Sequence, residues 1–314
     1  MQKSSALQND DGVVKKKPQR KSRGRRDVTW RIVVAYRGEG FVGWQRQPGE
    51  RAVQSELEEA FQKIVGHEVF VRGAGRTDRG VHAQAQVASL RINCAIESYQ
   101  IIRAMSSLLD DDIAVISADE VPHGFSAKRH SVGKRYCYRI YQGPARDPFL
   151  AEQHLHSRGF LDVDAMQKAA AHLVGDHDYE SFRSVHCDAV HARRYLWKID
   201  VREIGRVVEI EIRGNAFCRY MIRIIAGTLL GVGHKRFAPD DVKDMLSRKD
   251  RSSAGITAAA VGLTLEEVYY PDGLDKAGIP PDAFFPGYPV TDDTWPPQEK
   301  KGEGIDTKKN QAVD

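Results

Sequence analysis

The chain has 314 residues, of which 41% are hydrophobic and 29% are charged, and its formal net charge is +4. This composition predicts a soluble globular protein of one large domain or two ordinary ones, and the lack of a run of about 18 apolar residues or an apolar leader argues against membrane insertion and export. The cysteines are scattered without a CxxC pair, which favours a reducing cytoplasm: Cys94, Cys137, Cys187 and Cys218.

The two ends of the chain differ in charge from its body. Residues 1–27 hold nine Lys/Arg and three Asp, and residues 271–314 hold five Lys and nine Asp/Glu, so the body is nearly neutral. We expect a basic disordered arm over residues 1–29 and a Pro-rich, polar tail over 272–314. The basic arm either attracts nucleic-acid phosphates or only solubilises the protein, and charge alone leaves both interpretations open.

The body opens with a predicted strand over residues 30–37 and a predicted helix over 52–66. Apolar residues at helical spacing, with Gly66 as the C-cap, define that helix: Val53, Leu57, Phe61 and Ile64. A strand near 85–92, a helix through Ile101 to Leu109 and a strand at 113–118 complete an N-terminal half over residues 30–130.

Between the first helix and the next strand, the sequence GAGRTDRGVHA places Asp78 between two arginines in a glycine-bounded turn. A carboxylate with an ordinary pKa near ~3.9 is ionised at neutral pH and serves as nucleophile, base or electrostatic partner. Arg76, two residues earlier, is placed to orient it by a bidentate pair. The motif by itself fits a structural salt bridge in a tight turn equally well.

A C-terminal half over residues 131–271 has a similar order of elements. The run at 134–141 alternates strictly and predicts a strand with Tyr136 on one face and Arg135 on the other. The remaining predicted elements are a helix at 164–175, strands at 195–201 and 206–214, helices from Phe217 to Leu230 and from Asp240, and a strand at 263–270. Hairpin-like spacing of the strands favours antiparallel pairing, and we predict an α+β fold of two related halves that share one sheet.

Aromatic and basic residues of this half suggest nucleic-acid binding. Tyr136 could stack on a nucleobase while Lys134 and Arg135 meet phosphates, although a tyrosine in an alternating strand more often only packs in the sheet. Arg219 and Arg223 are four residues apart, which would place both on one face of the predicted helix. An arginine in so apolar a helix needs a carboxylate partner, and Asp78 is the natural candidate for Arg223.

The other familiar catalytic patterns are missing. His82 has no partners at metal-ligand spacing, and His186, Cys187 and His191 lack a second ligand pair, so the sequence predicts no metal site. It contains neither a P-loop nor a strand-linked GxGxxG, which argues against nucleotide hydrolysis and dinucleotide cofactors.

Several ordered blocks, covering about residues 30–271, resemble the TruA family of tRNA pseudouridine synthases. They are AGRTDRGVHA (74–83), YRGEGFVGWQRQ (36–47), AVQSELEEAF (52–61), FSAKRHSVGKRYCYRIY (125–141), GDHDYESFR (175–183), GNAFCRYMIRIIAG (214–227) and AVGLTLEEVYYP (260–271). The resemblance implies a pseudouridine synthase fold with an eight-stranded mixed, mainly antiparallel sheet, helices packed on it and a central RNA-binding cleft. It also implies a homodimer that isomerises uridines 38, 39 and 40 of the tRNA anticodon stem-loop without cofactor or metal.

Carried onto this chain, the resemblance makes Asp78 the catalytic aspartate, Tyr136 the residue that stacks on the target base and Arg223 the partner of the aspartate. Leu263 matches an apolar residue of the uracil pocket. We add substrate contacts from the residues near these four, namely Arg76, Thr77, His82, Lys134, Arg135 and Arg219. Whether Asp78 attacks C1′ of the ribose or removes the C2′ proton is left open.

Two departures and two rivals qualify the resemblance. Arg219 and Tyr220 stand where the family more often has an aromatic residue and Asn or His, and Ile224 stands where Asn is common. A catalytically silent RNA-binding protein would keep the basic residues but could dispense with Asp78 and Arg223. A metal-dependent nuclease or phosphatase would need several converging carboxylates, and this motif has one acid between arginines.

Overall fold

A computed structural model describes residues 27–271, which form one extended sheet with helices packed against it. The predictions for the basic arm and for the Pro-rich tail fall outside the described residues, except that residues 27–29 belong to the first strand. The strands of the sheet are β1 (Asp27–Tyr36), β2 (Arg72–Gly73), β3 (His82–Asn93), β4 (Ile113–Val121), β5 (Gly133–Gln142), β6 (Leu155–Ser157), β7 (Gly175–Asp178), β8 (Arg193–Ile204), β9 (Val207–Gly214) and β10 (Leu263–Tyr269).

The helices are α1 (Val53–Val65), α2 (Ser98–Leu108), α3 (Val163–Ala171), α4 (Met221–Gly233) and α5 (Asp241–Arg248). Between residues 27 and 271, none of them is long and apolar enough to cross a membrane.

Eight strands follow one path in the order β4-β1-β3-β10-β5-β9-β8-β7, and two short strands lie off it, β2 beside β3 and β6 beside β5. Pairing is antiparallel except for β3 with β10 and β5 with β6. The predicted mixed, mainly antiparallel sheet is therefore confirmed, with ten strands in place of the eight expected. The two-residue parallel pairing Thr264↔His82 and Leu265↔Ala83 joins the halves.

In the N-terminal half, α2 packs on β4 and against α1, and the apolar faces of both helices belong to the core of the sheet. Leu57 and Phe61 of α1 and Ile101 and Met105 of α2 are fully buried. Gly66 ends α1 in the left-handed conformation, at a φ of 76°, as the glycine C-cap prediction required.

In the C-terminal half, β5 has the alternation that its sequence predicts. Tyr136, Tyr138 and Ile140 are buried, and Arg135 and Arg139 of the other face pair with acids of β9 and β10. Strands β8 and β9 form the predicted antiparallel hairpin. The predicted helix at 164–175 is shorter, because α3 ends at Ala171 and Gly175 already begins β7.

The start of α4 differs from its prediction for a backbone reason. Tyr220 has a φ of 64°, in the left-handed region, so the helix begins at Met221 and not at Phe217. Arg219 therefore precedes the helix, and the prediction that it shares a helical face with Arg223 is wrong.

Candidate active site

The loop that carries Asp78 is held by its own backbone and by the chain around Gly43. The Trp44 N–H donates to the Thr77 carbonyl at 3.1 Å, and the Val81 N–H donates to the Asp78 carbonyl at 3.1 Å. Gly43 has a φ of 118°, and a Cβ added there would lie 2.6 Å from the Thr77 carbonyl oxygen. Only glycine permits this approach, so the position of Asp78 depends on residue 43.

Thr77 anchors the same loop from the inside of the protein. It is buried, and its Oγ1 hydrogen-bonds the Tyr36 hydroxyl at 2.8 Å. Burial raises the pKa of Tyr36 to about 12, so this hydroxyl stays neutral and available as a partner. The strand β1 therefore contributes directly to the placement of the neighbouring Asp78.

Asp78 and Arg223 meet across the joint between the two halves. Arg223 Nη1 lies 3.8 Å from Asp78 Oδ2, and the two side chains are 16% and 27% exposed. Arg223 Nε donates to the Ala258 carbonyl at 2.8 Å, which fixes the guanidinium. Burial raises the pKa of the Asp78 carboxyl, and the Arg223 and Arg219 guanidiniums act against that rise.

A cavity of about 90 Å³ opens beside this pair. Tyr136 and Leu263 line it, and both are nearly buried. The Tyr136 ring contacts Phe217 edge to face, with centroids 5.2 Å apart at 80°. Burial raises the pKa of Tyr136 well above its ordinary range, so the ring presents a neutral aromatic surface to the cavity. The cavity can take one flat, polar-edged group next to a carboxylate.

Arg219, expected from the sequence to contact the substrate, lines the cavity, and so do four neighbours that sequence reasoning did not assign to it: Phe217, Cys218, Tyr220 and Met221. The Arg219 and Arg223 guanidinium carbons lie 5.1 and 4.9 Å from the centroid of the Tyr220 ring. Tyr220 thus packs against both cations next to Asp78. The signal in the sequence was the pair of aromatic residues in NAFCRY, Phe217 and Tyr220. The sequence alone does not show that they line this cavity, because their placement depends on the left-handed backbone at Tyr220.

In the structure, Arg76 does not form the bidentate pair with Asp78 that the sequence suggested. Its side chain is exposed, and the ion pair to Asp78 among the described residues comes from Arg223. His82 is buried, and its Nδ1 accepts the Gly38 N–H at 3.1 Å. Burial lowers the pKa of His82, which favours the neutral ring whose Nδ1 accepts this hydrogen bond.

Lys134 and Arg135 lie on opposite faces of β5. Lys134 is 9% exposed, its Nζ is 3.5 Å from Ser131 Oγ, and its Cε lies 3.1 Å from where a Cβ of Gly75 would stand. Burial, with a smaller contribution from Lys128, lowers the pKa of Lys134 to about 8. Arg135 pairs with Glu211 and Glu267 at 3.4 Å each. Neither side chain lines the Asp78 cavity.

Across residues 27–271, no group of three or more His, Cys, Asp or Glu side chains is arranged to hold a metal ion. The groups that line the cavity include one carboxylate, its arginine partner and an aromatic face.

Comparison with known proteins gives consistent matches. A family model described as tRNA pseudouridine synthase matches residues 32–128 and 169–271. A tRNA pseudouridine synthase A of Geotalea daltonii is 36% identical over 240 residues, 76% of this chain and 98% of that protein. Proteins of the same name from Myxococcus xanthus and Bacillus pumilus are 40% and 38% identical, over 77% and 76% of this chain and 92% and 98% of their own lengths.

Similarity to solved structures is weaker. A chain from "Crystal Structure of a Cbf5-Nop10-Gar1 Complex" aligns with 75% of this chain and 57% of its own length at 15% identity, with a TM-score of 0.30.

Proposed function

Because the chain belongs to the tRNA pseudouridine synthase family, we propose that it is an isomerase that converts uridines 38, 39 and 40 of the tRNA anticodon stem-loop to pseudouridine. The observation that carries the proposal is the contact of Asp78 with Arg223 at the mouth of a cavity lined by Tyr136 and Leu263. It supplies one ionised carboxylate, an aromatic face and an apolar contact, which are the groups that a base-rearranging site requires.

The reaction needs the target uridine outside the base stack, at a cost of a few kcal/mol. The Tyr136 ring offsets part of this cost by stacking on the extruded base. Asp78 then attacks C1′ to form an ester or removes the C2′ proton to form a glycal, and either step breaks the bond from C1′ to N1. The uracil turns and C5 bonds to C1′: in the first route the ester bond between C1′ and Asp78 breaks and frees the carboxylate, and in the second route C2′ regains its proton. N1 then gains a proton, and the hydrogen on C5 is lost.

Burial raises the pKa of the Asp78 carboxyl, and the Arg223 charge acts against that rise and so favours the ionised carboxylate. The cavity also limits the access of water while the uracil is detached, and Leu263 provides an apolar wall against which it can turn. Arg76 and Arg219 are exposed near Asp78, and we assign them to the RNA backbone. No step requires a metal or a cofactor.

We also propose a cytoplasmic homodimer with halves that divide between residues 130 and 131. The division falls in the segment between the end of β4 at Val121 and the start of β5 at Gly133. Sedimentation of the purified chain, alone and with tRNA, tests the dimer.

Wild-type protein and Asp78→Asn, incubated with unmodified tRNA in EDTA, test the function itself. Release of tritium from C5-labelled uridine measures turnover, and base-resolved chemistry locates the product. We expect product at positions 38–40 from the wild type and a loss of roughly 10⁴-fold or more in Asp78→Asn. Asp119→Asn is the matched control, because Asp119 is an exposed acid of β4 paired with Arg31.

Two results would contradict the proposal in different ways. Equal product from wild type and Asp78→Asn would show that this carboxylate is not the reacting group. An inactive wild type that still binds tRNA would identify the chain as a catalytically silent RNA-binding protein.

A further inference from the structure

A second cavity, of about 280 Å³, lies outside the Asp78 site. Its walls come from Tyr141 at the end of β5, His156 of β6, the segment between those strands, and Val261 in the turn before β10. The proposed reaction uses none of these residues. The larger of the two cavities is therefore without an assigned role.

The charged residues that line this cavity are mainly basic. Arg146 and Arg158 are exposed, and neither has an ion-pair partner between residues 27 and 271. Asp147 is the acid of the lining, and its Oδ1 accepts the Phe149 N–H at 2.9 Å. Nearby Arg139 is, by contrast, paired with both Glu209 and Glu266. The lining thus carries two arginines and one acid, and neither arginine has an ion-pair partner among the described residues, so the cavity has a net positive charge.

Two histidines line the same opening, and a third arginine, Arg206, lies near Gly143 beside Tyr141. Arg206 Nη1 would lie 3.7 Å from a Cβ at Gly143, and Tyr141 Oη would lie 3.6 Å from it, so both reach the space left by this glycine. His156 Nε2 lies 2.9 Å from the Gly143 carbonyl, and His154 Nδ1 lies 3.1 Å from the Leu150 carbonyl. A carbonyl only accepts, so each of these nitrogens carries the N–H, and the other nitrogen of the neutral ring can accept a hydrogen bond from a hydroxyl or N–H of a ligand.

The aromatic rings that line the cavity favour a ligand with a sugar or a flat base over a free inorganic anion. The Tyr141 and His156 rings are stacked, with centroids 6.0 Å apart and planes at 27°. Arginines beside a stacked aromatic pair match a nucleotide, because the arginines bind its phosphate and a ring can cover its sugar or base.

The cavity lies at the same end of the sheet as the Asp78 site. Strands β1 and β5 end there, and β3 and β10 begin there. Val261 lines the second cavity, and Leu263, two residues later, lines the first. Arg37, which follows β1, pairs with Glu152 of the segment around the cavity at 2.9 Å. An RNA that reaches one opening therefore passes close to the other.

We propose that the second cavity binds a phosphodiester of the tRNA backbone, with the adjoining nucleoside against Tyr141. This subsite rests on the proposed function for the identity of its RNA. It contributes affinity and orientation and takes no part in the bond changes at the target uridine.

The test compares an Arg146→Ala/Arg158→Ala double variant with wild type on full-length tRNA. We expect the Kd and the KM to rise roughly tenfold and the slope of log affinity against log salt to fall by about 1 to 2, with kcat at saturating tRNA unchanged within about twofold. The matched control is Arg103→Ala/Arg248→Ala, which removes two exposed arginines of α2 and α5 that lack ion-pair partners within residues 27–271. It should change affinity far less.

A folding defect is separated from a lost contact by Arg146→Lys/Arg158→Lys, which keeps both charges and should recover most of the affinity. Equal tRNA affinity in the alanine double variant and its control would overturn the proposal. So would stabilisation of the wild type, but not of the alanine variant, by inorganic phosphate with no difference in tRNA affinity, because that result assigns the cavity to a free anion.

Binding and turnover are separate measurements, so failure of the two proposals can be told apart. A wild type that makes no pseudouridine but binds tRNA through Arg146 and Arg158 would refute the function and support the subsite.

Discussion

In the N-terminal half, backbone hydrogen bonds and a close glycine contact hold the loop of Asp78, whereas the groups that face Asp78 from the C-terminal half are side chains. Trp44 and Gly43 position the loop through their main chains. Arg223 is positioned through its own guanidinium, by the Ala258 carbonyl and the Tyr220 ring. The first half therefore depends mainly on backbone shape, supported by the side-chain hydrogen bond of Thr77 with Tyr36, and the second half depends on charge and aromatic packing.

The two regions meet where β3 and β10 pair through two residues of each strand. Asp78 lies four residues before His82 of this joint, and Ala258 lies five residues before Leu263, the start of β10. A small displacement at this joint would change the distance between Asp78 and Arg223. Substitutions that disturb the backbone of the Asp78 loop should therefore produce a different defect from substitutions of the side chains that face Asp78. When the backbone of the loop is disturbed, the free energy of unfolding and the activity should fall together. When a side chain that faces Asp78 is replaced, the activity should fall more than the free energy of unfolding.

The largest effect is expected for Arg223→Gln. Removing one member of a mostly buried charge pair costs about 3 to 4 kcal/mol, which corresponds to a loss of roughly 10²- to 10³-fold in kcat/KM. Burial already raises the pKa of Asp78, and without the Arg223 charge it rises further. Since the carboxylate is the active form, the acid limb of the pH–rate profile should move to higher pH.

Two further variants make this result specific. Arg223→Lys keeps a charge but loses the Nε donor to Ala258, so the acid limb should return partway to its original pH. Arg76→Ala removes an exposed arginine that does not pair with Asp78 and should leave the limb in place. A limb that does not move in Arg223→Gln would contradict the assigned pairing.

The second largest effect is expected for Gly43→Ala, which changes the backbone that holds the Asp78 loop. The variant places a non-glycine residue at a φ of 118° and brings its Cβ to 2.6 Å from the Thr77 carbonyl oxygen. We therefore expect a loss of about 3 kcal/mol in the free energy of unfolding and a matching fall in activity. Gly49→Ala is the control, because Gly49 has a φ of 73° and no atom lies within 4 Å of where its Cβ would stand. It should cost about 1 kcal/mol. Equal urea denaturation midpoints for the two variants would contradict the role of Gly43.

The sequence predicted much of this arrangement because its signals are local or electrostatic. Helical spacing of Leu57 and Phe61 defined α1, and strict alternation around Tyr136 defined β5. The cost of burying an unpaired arginine predicted that Arg223 meets a carboxylate, and the structure has that contact.

Other features depend on long-range pairing or on one backbone angle, which periodicity does not contain. The parallel joint of β3 with β10 links residues about 180 positions apart, and no local pattern specifies it. The left-handed φ of Tyr220 moved the start of α4 and took Arg219 off the helix. The burial of Lys134 was also missed, because alternation places a residue on a face without showing what covers that face.

Lys134 gives the third prediction, since it belongs to β5 but contacts the loop of the other half at Gly75. Burial lowers its pKa from 10.5 to about 8, so below pH 8 the folded state carries the cost of a buried charge. Between about pH 8 and 10.5 the folded state releases this proton while the unfolded state keeps it, and the free energy of unfolding rises with pH.

Lys134→Met should therefore be more stable than wild type by about 2 to 3 kcal/mol at pH 7, with the difference shrinking toward pH 10. Denaturant unfolding of both proteins across this range measures it. Lys63→Met is the control, because Lys63 is exposed on α1, and it should change the free energy of unfolding far less. A less stable Lys134→Met at pH 7 would mean that the protein stabilises the ammonium.

The smallest effect is expected for Tyr138→Phe, a substitution in the C-terminal half that should affect Arg223 only through the backbone of residues 258 and 259. The Tyr138 hydroxyl donates to the Ala259 carbonyl at 2.8 Å, next to the Ala258 carbonyl that holds the guanidinium. Its loss should cost about 1 kcal/mol of stability and at most about tenfold in kcat/KM, without moving the acid limb. Tyr99→Phe, at an exposed position of α2, should change neither quantity. If Tyr138→Phe were as inactive as Arg223→Gln, the path of residues 258–263 would control the site more than the charge of the arginine does.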